Sequence, residues 1–147
     1  MGQGSIIGYE INEKTCQISF YNEKDLEPDT LEVDTDNYQI PLIIGKLRDT
    51  WAYGKEAKRL VTIKDGFTAT RLLSKSLAGD KIEFGEETYD AVWLLSQFIQ
   101  MSLQSFPEID GIVFTVPSLS EEMAQMLRGI AVRMNIDKRN IFIQDYK

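Results

Sequence analysis

Apolar positions alternate with polar ones at the start of the chain. Ile7, Tyr9 and Ile11 fall on every second residue after Ile6, and Cys16, Ile18 and Phe20 repeat the pattern. A period of two predicts two strands, and Asn12-Glu13-Lys14 between them predicts a tight hairpin turn. Residues 29–33 predict a third short strand. The apolar run 40–44 contains Pro41, which confines it to an edge or to the start of a strand. Lys55-Glu56-Ala57-Lys58-Arg59-Leu60, after Trp51-Ala52-Tyr53-Gly54, has the composition of a short helix. A second helix is expected over 68–77, with Thr70 on its surface and Gly79 as its stop, followed by a brief strand over 81–84.

The strongest helical period covers 86–105. Val92, Leu95, Ile99, Leu103 and Phe106 recur at the spacing of one helix face, and Pro107 ends the pattern. The continuous apolar run 111–116 has the character of a buried parallel strand. Pro117 breaks it, and Ser118 with Glu121 three residues later has the form of a capping box. The helix expected there, 118–135, buries Leu119, Met123, Leu127, Ile130 and Met134. Ile141, Phe142 and Ile143 begin a last strand. Strands first, helices inserted, then strand–helix–strand is the pattern of an α/β fold with a mixed sheet and flanking helices. Such a sheet needs a covering helix after its last strand, so the chain reads as cut from a longer domain.

Composition narrows the function classes. The 147 residues, 43% hydrophobic and 27% charged, suit one ordinary globular core. The net charge of −7 comes without any Lys/Arg cluster, so nucleic acid is not an expected partner. The acidic stretch 27–36, interrupted by Leu31 and Val33, reads as the solvated side of a strand and its turns. Histidine is absent and Cys16 is the only cysteine, which removes the usual general base, a zinc site of normal type and any internal disulfide. With no bilayer-length apolar run and no positively charged leader, a membrane is not an expected partner and the cytoplasm is the expected compartment. Trp51, Trp93 and the methionines read as packing residues.

Five segments carry a resemblance. Ile7-Gly8-Tyr9-Glu10-Ile11-Asn12-Glu13-Lys14 stands where DnaK-type chaperones have a Gly-Ile-Asp-Leu-Gly-Thr-Thr run. Tyr53-Gly54-Lys55-Glu56-Ala57-Lys58 is similar to their Gly-(Glu/Asp)-Ala-Ala-Lys segment, and Phe67-Thr68-Ala69-Thr70-Arg71-Leu72-Leu73 to their Phe-Asp-Ala-Lys-Arg-Leu-Ile. Phe114-Thr115-Val116-Pro117 before a helix resembles Val-Thr-Val-Pro-Ala, and 141–145 falls where Ile-Ile-Asn-Glu-Pro would lie. In this order they resemble the first, N-terminal lobe of the actin, sugar-kinase and DnaK-type ATPase superfamily, in a divergent bacterial branch. The resemblance implies a ribonuclease-H-like lobe with an inserted small subdomain. Residues 1–39 and 107–147 would form the core sheet subdomain, about 40–84 the insert, and 86–106 a connecting helix.

The resemblance also implies a site, and the residues depart from it. A phosphate turn needs glycine and small hydroxyl residues, so that backbone N–H groups can face the anion. Here Asn12 takes the glycine position and Glu13 the hydroxyl position, while Lys14 offers a replacement cation. The three residues read either as a degenerate phosphate turn or as a plain hairpin turn. Glu10 replaces an aspartate that helps place hydrated Mg²⁺, with a longer reach; it also reads as an ordinary polar strand residue. Thr70 stands in place of the family lysine that positions the attacking water, and cannot supply its charge. Asp145 matches the acid of the Asn-Glu-Pro motif, with Gln144 and Tyr146 as its neighbours, and reads equally as a solvated strand end.

Three functions compete on these residues. The preferred one is a degenerate lobe kept for protein interaction or scaffolding, with no cofactor in this fragment and no catalysis by it. The alternative is the phosphate-binding lobe of a working ATPase, completed by a second lobe in the remainder of the parent chain, with ATP and Mg²⁺ bound by the full-length protein. An unrelated α/β enzyme comes last, because no nucleophile–base pair or metal cluster is visible.

Overall fold

A computed structural model describes residues 4–21, 29–30 and 38–146. In chain order its elements are β1 (Ser5–Ile11), β2 (Thr15–Tyr21), β3 (Asp29–Thr30), β4 (Gln39–Pro41), β5 (Ile44–Leu47) and β6 (Thr50–Tyr53). Next come α1 (Lys55–Arg59), β7 (Gly66–Ala69), α2 (Leu72–Leu77), β8 (Lys81–Phe84), β9 (Glu87–Asp90) and α3 (Ala91–Ser102). The last are β10 (Ile109–Val116), α4 (Glu121–Arg133) and β11 (Ile141–Asp145). The chain divides into two compact units, one of residues 1–12, 16–39 and 104–147 and the other of 13–15 and 40–103. Of the strand expected over 29–33, Asp29 and Thr30 pair with β2. Residues 31–33, most of the acidic stretch 27–36 and the first three residues lie outside the described part.

The first unit is built on a mixed sheet with the order β11-β10-β1-β2-β3. Strand β10 runs parallel to both β1 and β11, and β2 returns antiparallel to β1. The near-continuous apolar run of β10 thus has its predicted cause, since the strand is hydrogen-bonded on both edges at the middle of the sheet. Register decides what each face carries. Ile7 pairs with Ile112 and Tyr9 with Phe114, and all four are buried together with Ile11, Ile18 and Val116. The Tyr9 and Phe114 rings meet edge to face with centroids 5.7 Å apart, the geometry their quadrupoles favour. Helix α4 packs beside β11 and buries Met123, Leu127, Ile130 and Ala131. The opposite face carries Ile6, Gly8 and Glu10 of β1, whose partners on β10 are Gly111, Val113 and Thr115. Phe142 and Gln144 continue it on β11.

The second unit holds a three-stranded antiparallel sheet, β6-β5-β7, and a β8–β9 hairpin. Helix α3 packs on α2 and buries Leu94, Leu95, Phe98 and Ile99. Trp51, Phe84, Tyr89 and Trp93 form a ring cluster, with Tyr89 stacked on Trp93 at 5.2 Å and Phe67 stacked on Phe84 at 5.6 Å. The Lys46 Nζ sits 5.2 Å above the Trp51 ring and 2.9 Å from Glu87 Oε1.

Three expected helix boundaries change. The span 68–77 is not one helix: Thr68 and Ala69 pair with Gly45 and Ile44 as the end of β7, and Arg71, at φ 55, breaks the path before α2 begins at Leu72. Sheet pairing has overridden a weak helical composition, and Thr70 lies in the link rather than on a helix. The span 86–105 loses its first turn to β9. Gly85, at φ 67, and Glu86 form a two-residue turn that folds Glu87–Asp90 back onto β8, with Tyr89 opposite Ile82. The helix expected from Ser118 starts two residues later. The Ser120 Oγ accepts the N–H of Met123 at 3.1 Å, making Ser120 the N-cap and leaving Leu119 outside the helix and 40% exposed.

Candidate functional site

Of the residues singled out by the sequence, Glu10 lies near the end of β1 and Asn12, Glu13 and Lys14 in the turn after it, while Asp145 ends β11 and Thr70 lies between β7 and α2. In the first unit, the β1 register places Glu10 opposite Thr115 on β10 and Gln17 on β2. Thr115 is in turn opposite Gln144, whose amide donates to the Thr115 hydroxyl at 3.2 Å. Because alternate residues share a face, Glu10, Thr115 and Gln144 stand in a polar row across three strands. Asp145 has the other parity, is half-buried, and pairs with Val116.

Tyr146 completes this end of the sheet. Its N–H donates to the Val116 carbonyl at 3.2 Å, which extends the ladder one residue past β11. Its phenol donates to the Glu10 carboxylate and accepts from the Asn12 side chain. Desolvation, followed by the Glu10 charge and hydrogen bond, pushes the phenol above its ordinary range, and the Asn12 bond pulls it partly back. Glu10 and Asn12 are therefore brought together through a residue that was marked in the sequence only as a departure from the family proline.

The rest of the turn belongs to the second unit. Glu13 does not project toward an open anion position. Its carboxylate accepts the Ser74 N–H at 2.7 Å and the Ser74 hydroxyl at 2.9 Å, satisfying one of the orphan donors in the first turn of α2. The Lys14 carbonyl accepts the Leu42 N–H at 2.8 Å, and the Lys14 residue is exposed. Thr70 is exposed in the link between β7 and α2. Ser74 was not read as a site residue. The only sequence signal for it is a hydroxyl one helical turn after Thr70.

The resemblance read from the sequence implies a nucleotide with its Mg²⁺, and the residues of the turn do not fit that group. A phosphate-cradling turn needs successive N–H groups in a nest, which requires a left-handed residue or a glycine. None of Asn12, Glu13 and Lys14 is glycine or has a positive φ. The two acids and the amide that remain are used within the protein, Glu13 by Ser74 and Glu10 with Asn12 by Tyr146. Among the described residues no group of three or more His, Cys, Asp or Glu side chains is placed to hold a metal. Cys16 is buried, its thiol donating to the Tyr9 hydroxyl at 3.6 Å, and burial pushes it up to about 12, so it is no nucleophile.

Comparison with known proteins agrees with the topology and adds a family. A family model described as "Family of unknown function (DUF5716) C-terminal" matches residues 27–147. No curated protein matches the sequence. Among solved structures, a non-polymerising mutant of MamK bound to AMPPNP is similar, at 11% identity with a TM-score of 0.66. The match covers 99% of this chain and 42% of that one. At this identity the likeness concerns the fold, which is mixed α/β and actin-like. No helix among the described residues is long and apolar enough to cross a membrane.

Proposed function

The chain belongs to the DUF5716 C-terminal family, and from that premise we propose that it is a degenerate actin-like lobe, kept for protein contacts and not for phosphoryl transfer. The observation that carries this reading is the internal use of the turn. Catalysis of phosphoryl transfer rests on positioning and on charge aimed at the phosphates. Here the Glu13 carboxylate is spent on Ser74, and Glu10 and Asn12 are spent on Tyr146. Thr70 brings no charge where the family lysine would act. On this reading the chain takes no cofactor and catalyses nothing.

Exposed apolar surface supports a role in contacts. In the second unit Trp93 is 43% exposed within the ring cluster, and in the first unit Phe142 is 58% exposed on the face of Ile6 and Val113. On this reading each of these exposed side chains would be covered by a partner. The expected partners are the remainder of the parent chain and a further protein, in the cytoplasm, without nucleic acid or membrane.

A second reading keeps nucleotide binding for the parent protein. It is favoured by Lys14, exposed at the turn, and by the AMPPNP bound to the similar MamK structure. On that reading Lys14 is the phosphate partner, and a second lobe supplies the rest of the site with ATP and Mg²⁺. Titration calorimetry of the full-length protein with Mg·ATP separates the two. The degenerate lobe gives no saturable heat, and micromolar binding would overturn it.

A further inference from the structure

We infer that Trp93 and the outer side of the β8–β9 hairpin form a docking surface for an extended, arginine-bearing segment of a partner protein. The inference rests on the reading of the chain as a contact lobe, and it names the chemistry of one contact. An exposed indole and the charges beside it carry the argument. Trp93 is 43% exposed, yet its ring is held in place by its neighbours. Tyr89 stacks on it at 5.2 Å with the planes 16° apart, and Trp51 meets it at 5.6 Å. Tyr89 is fixed in turn, its hydroxyl donating to Glu87 Oε2 at 2.9 Å and accepting from Lys46 Nζ at 3.1 Å. A side chain ordered in advance loses little entropy when a partner covers it.

Register sets the charge next to this ring. Ile82 pairs with Tyr89 and Phe84 with Glu87, so these four share the inner side of the hairpin, where Phe84 and Tyr89 meet Trp51. Glu83 with Thr88, and Lys81 with Asp90, share the outer side, and all four are exposed. Asp90 is also the N-cap of α3, so the outer side runs into the first turn of the helix that carries Trp93. The cations here are already matched, Lys46 by Glu87 at 2.9 Å and Lys81 by Asp90 at 4.0 Å. Glu83 and Glu86, the latter in the turn, are exposed and have no ion pair among the described residues. What remains for a partner is an aromatic ring followed by two unmatched carboxylates.

That combination selects arginine. A guanidinium lies flat on an indole and is drawn to its negative face, and its fork of donors suits a carboxylate. A lysine ammonium brings the charge without the flat stack. Asp90 and Glu86 stand four residues apart in the chain, about 13 Å at strand rise, so an extended segment with arginines at alternate positions spans the surface.

The test uses the full-length protein and the peptide acetyl-Arg-Ser-Arg-Ser-Arg-amide in calorimetry, beside its lysine and citrulline counterparts. The arginine peptide should bind saturably and about threefold or more tighter than the lysine peptide, and the citrulline peptide should not saturate. Trp93→Leu should abolish the preference for arginine over lysine, with the circular dichroism of the fold retained. Glu83→Gln combined with Glu86→Gln leaves the ring cluster intact and should weaken both basic peptides about threefold; this variant decides if Trp93→Leu loses its fold. Absence of saturable binding by the arginine peptide overturns the docking surface. Equal binding of the arginine and lysine peptides to wild type, or arginine binding unchanged in the variants, also overturns it, because attraction to an acidic chain alone would give that result. Saturable binding of the neutral citrulline peptide overturns it as well. Mg·ATP titration of the same protein reads the degenerate lobe separately. No heat from either ligand removes the surface and leaves that reading standing, whereas micromolar Mg·ATP binding beside Trp93-dependent arginine binding removes that reading and leaves the surface.

Discussion

The carboxylate of Glu13 holds Ser74 by two hydrogen bonds, 2.7 Å from its N–H and 2.9 Å from its hydroxyl, across 61 residues of sequence. The N–H lies in the first turn of α2, where helix donors have no internal partner. A carboxylate two methylenes long reaches this donor from the hairpin turn, whereas the threonine expected there on resemblance is two atoms shorter and uncharged. The residue that looks hostile to phosphate thus has a structural use. Replacing Glu13 by Ala should cost ~1 kcal/mol of stability, about the net value of a part-exposed hydrogen-bonded pair. Ser74→Ala should cost less, since the backbone bond survives it. Urea unfolding of the two single variants and the double variant checks this; additive costs would mean that the pair is not coupled.

Gly54 belongs to a short segment whose likeness to the chaperones is weak, yet its backbone requires glycine. It sits at φ 64 and ψ −134, a region that side chains avoid. A Cβ there would stand 2.8 Å from Cγ2 of the buried Ile40. Its N–H also donates to Ile43 and its carbonyl accepts from Lys58, joining the end of β6 to α1. Gly54→Ala should therefore destabilise by ~1–3 kcal/mol from strain, and more once the Ile40 contact is added. Gly79→Ala is the control, at φ 72 with open space around its Cβ, and should cost only ~1 kcal/mol. Equal urea midpoints for the two variants would remove the steric explanation.

The parts of the fold that were legible in the sequence are those written in local periods. Ile7, Tyr9 and Ile11 show one face of β1, and the unbroken apolar run before Pro117 marks β10 as a central strand. The parts that were not legible depend on pairing. Thr68 and Ala69 have no strand signature of their own and become strand because β5 offers an edge. Tyr89 reads as part of a helix until Gly85 turns the chain, and then its ring joins Trp51 and Trp93. The sequence marked Glu10, Asn12 and Glu13 correctly as neighbours of a turn. It could not reveal that Tyr146 and Ser74 occupy them, because those bonds join residues far apart in the chain, and hydrogen bonds of that kind leave no periodic trace.

Cys16 should be inert in the folded protein. Its thiol is 1% exposed and held up to about 12, chiefly by burial, with the bond to Tyr9 opposing. At pH 8 iodoacetamide should leave native Cys16 unmodified and label it fully in urea, as mass spectrometry would show. The same shift sets a pH dependence. The unfolded thiol loses its proton near its ordinary value of about 8.5–9, while the folded one keeps it to about 12. The folded state thus binds the extra proton in that window, so stability is unaffected below it and falls as pH rises through it. The fall is at most about 1.4 kcal/mol per pH unit for one proton. Cys16→Ala should flatten this part of the profile, and an unchanged slope would show that the thiol is not its source.

Ser120 and Ser118 offer a direct test of where α4 begins. Ser120 lies one residue and Ser118 three residues before Glu121, and Ser118 has the capping-box spacing, yet it is Ser120 that reaches an orphan donor, the Met123 N–H at 3.1 Å. Its backbone at φ −129 and ψ 166 is extended, as an N-cap requires. Glu121 and Glu122 then fill the first turn, where the helix dipole favours negative charge. Ser120→Ala should cost ~1 kcal/mol, the usual value for removing such a cap, and should speed hydrogen exchange at Met123. Ser118→Ala, outside the helix, should stay within about 0.5 kcal/mol of wild type. Because α4 packs beside β11, loosening its first turn should also lower the cooperativity with which Ile141 and Ile143 are protected. If Ser118→Ala proves the costlier change, the helix starts earlier than Glu121, and Leu119 is drawn into its apolar face.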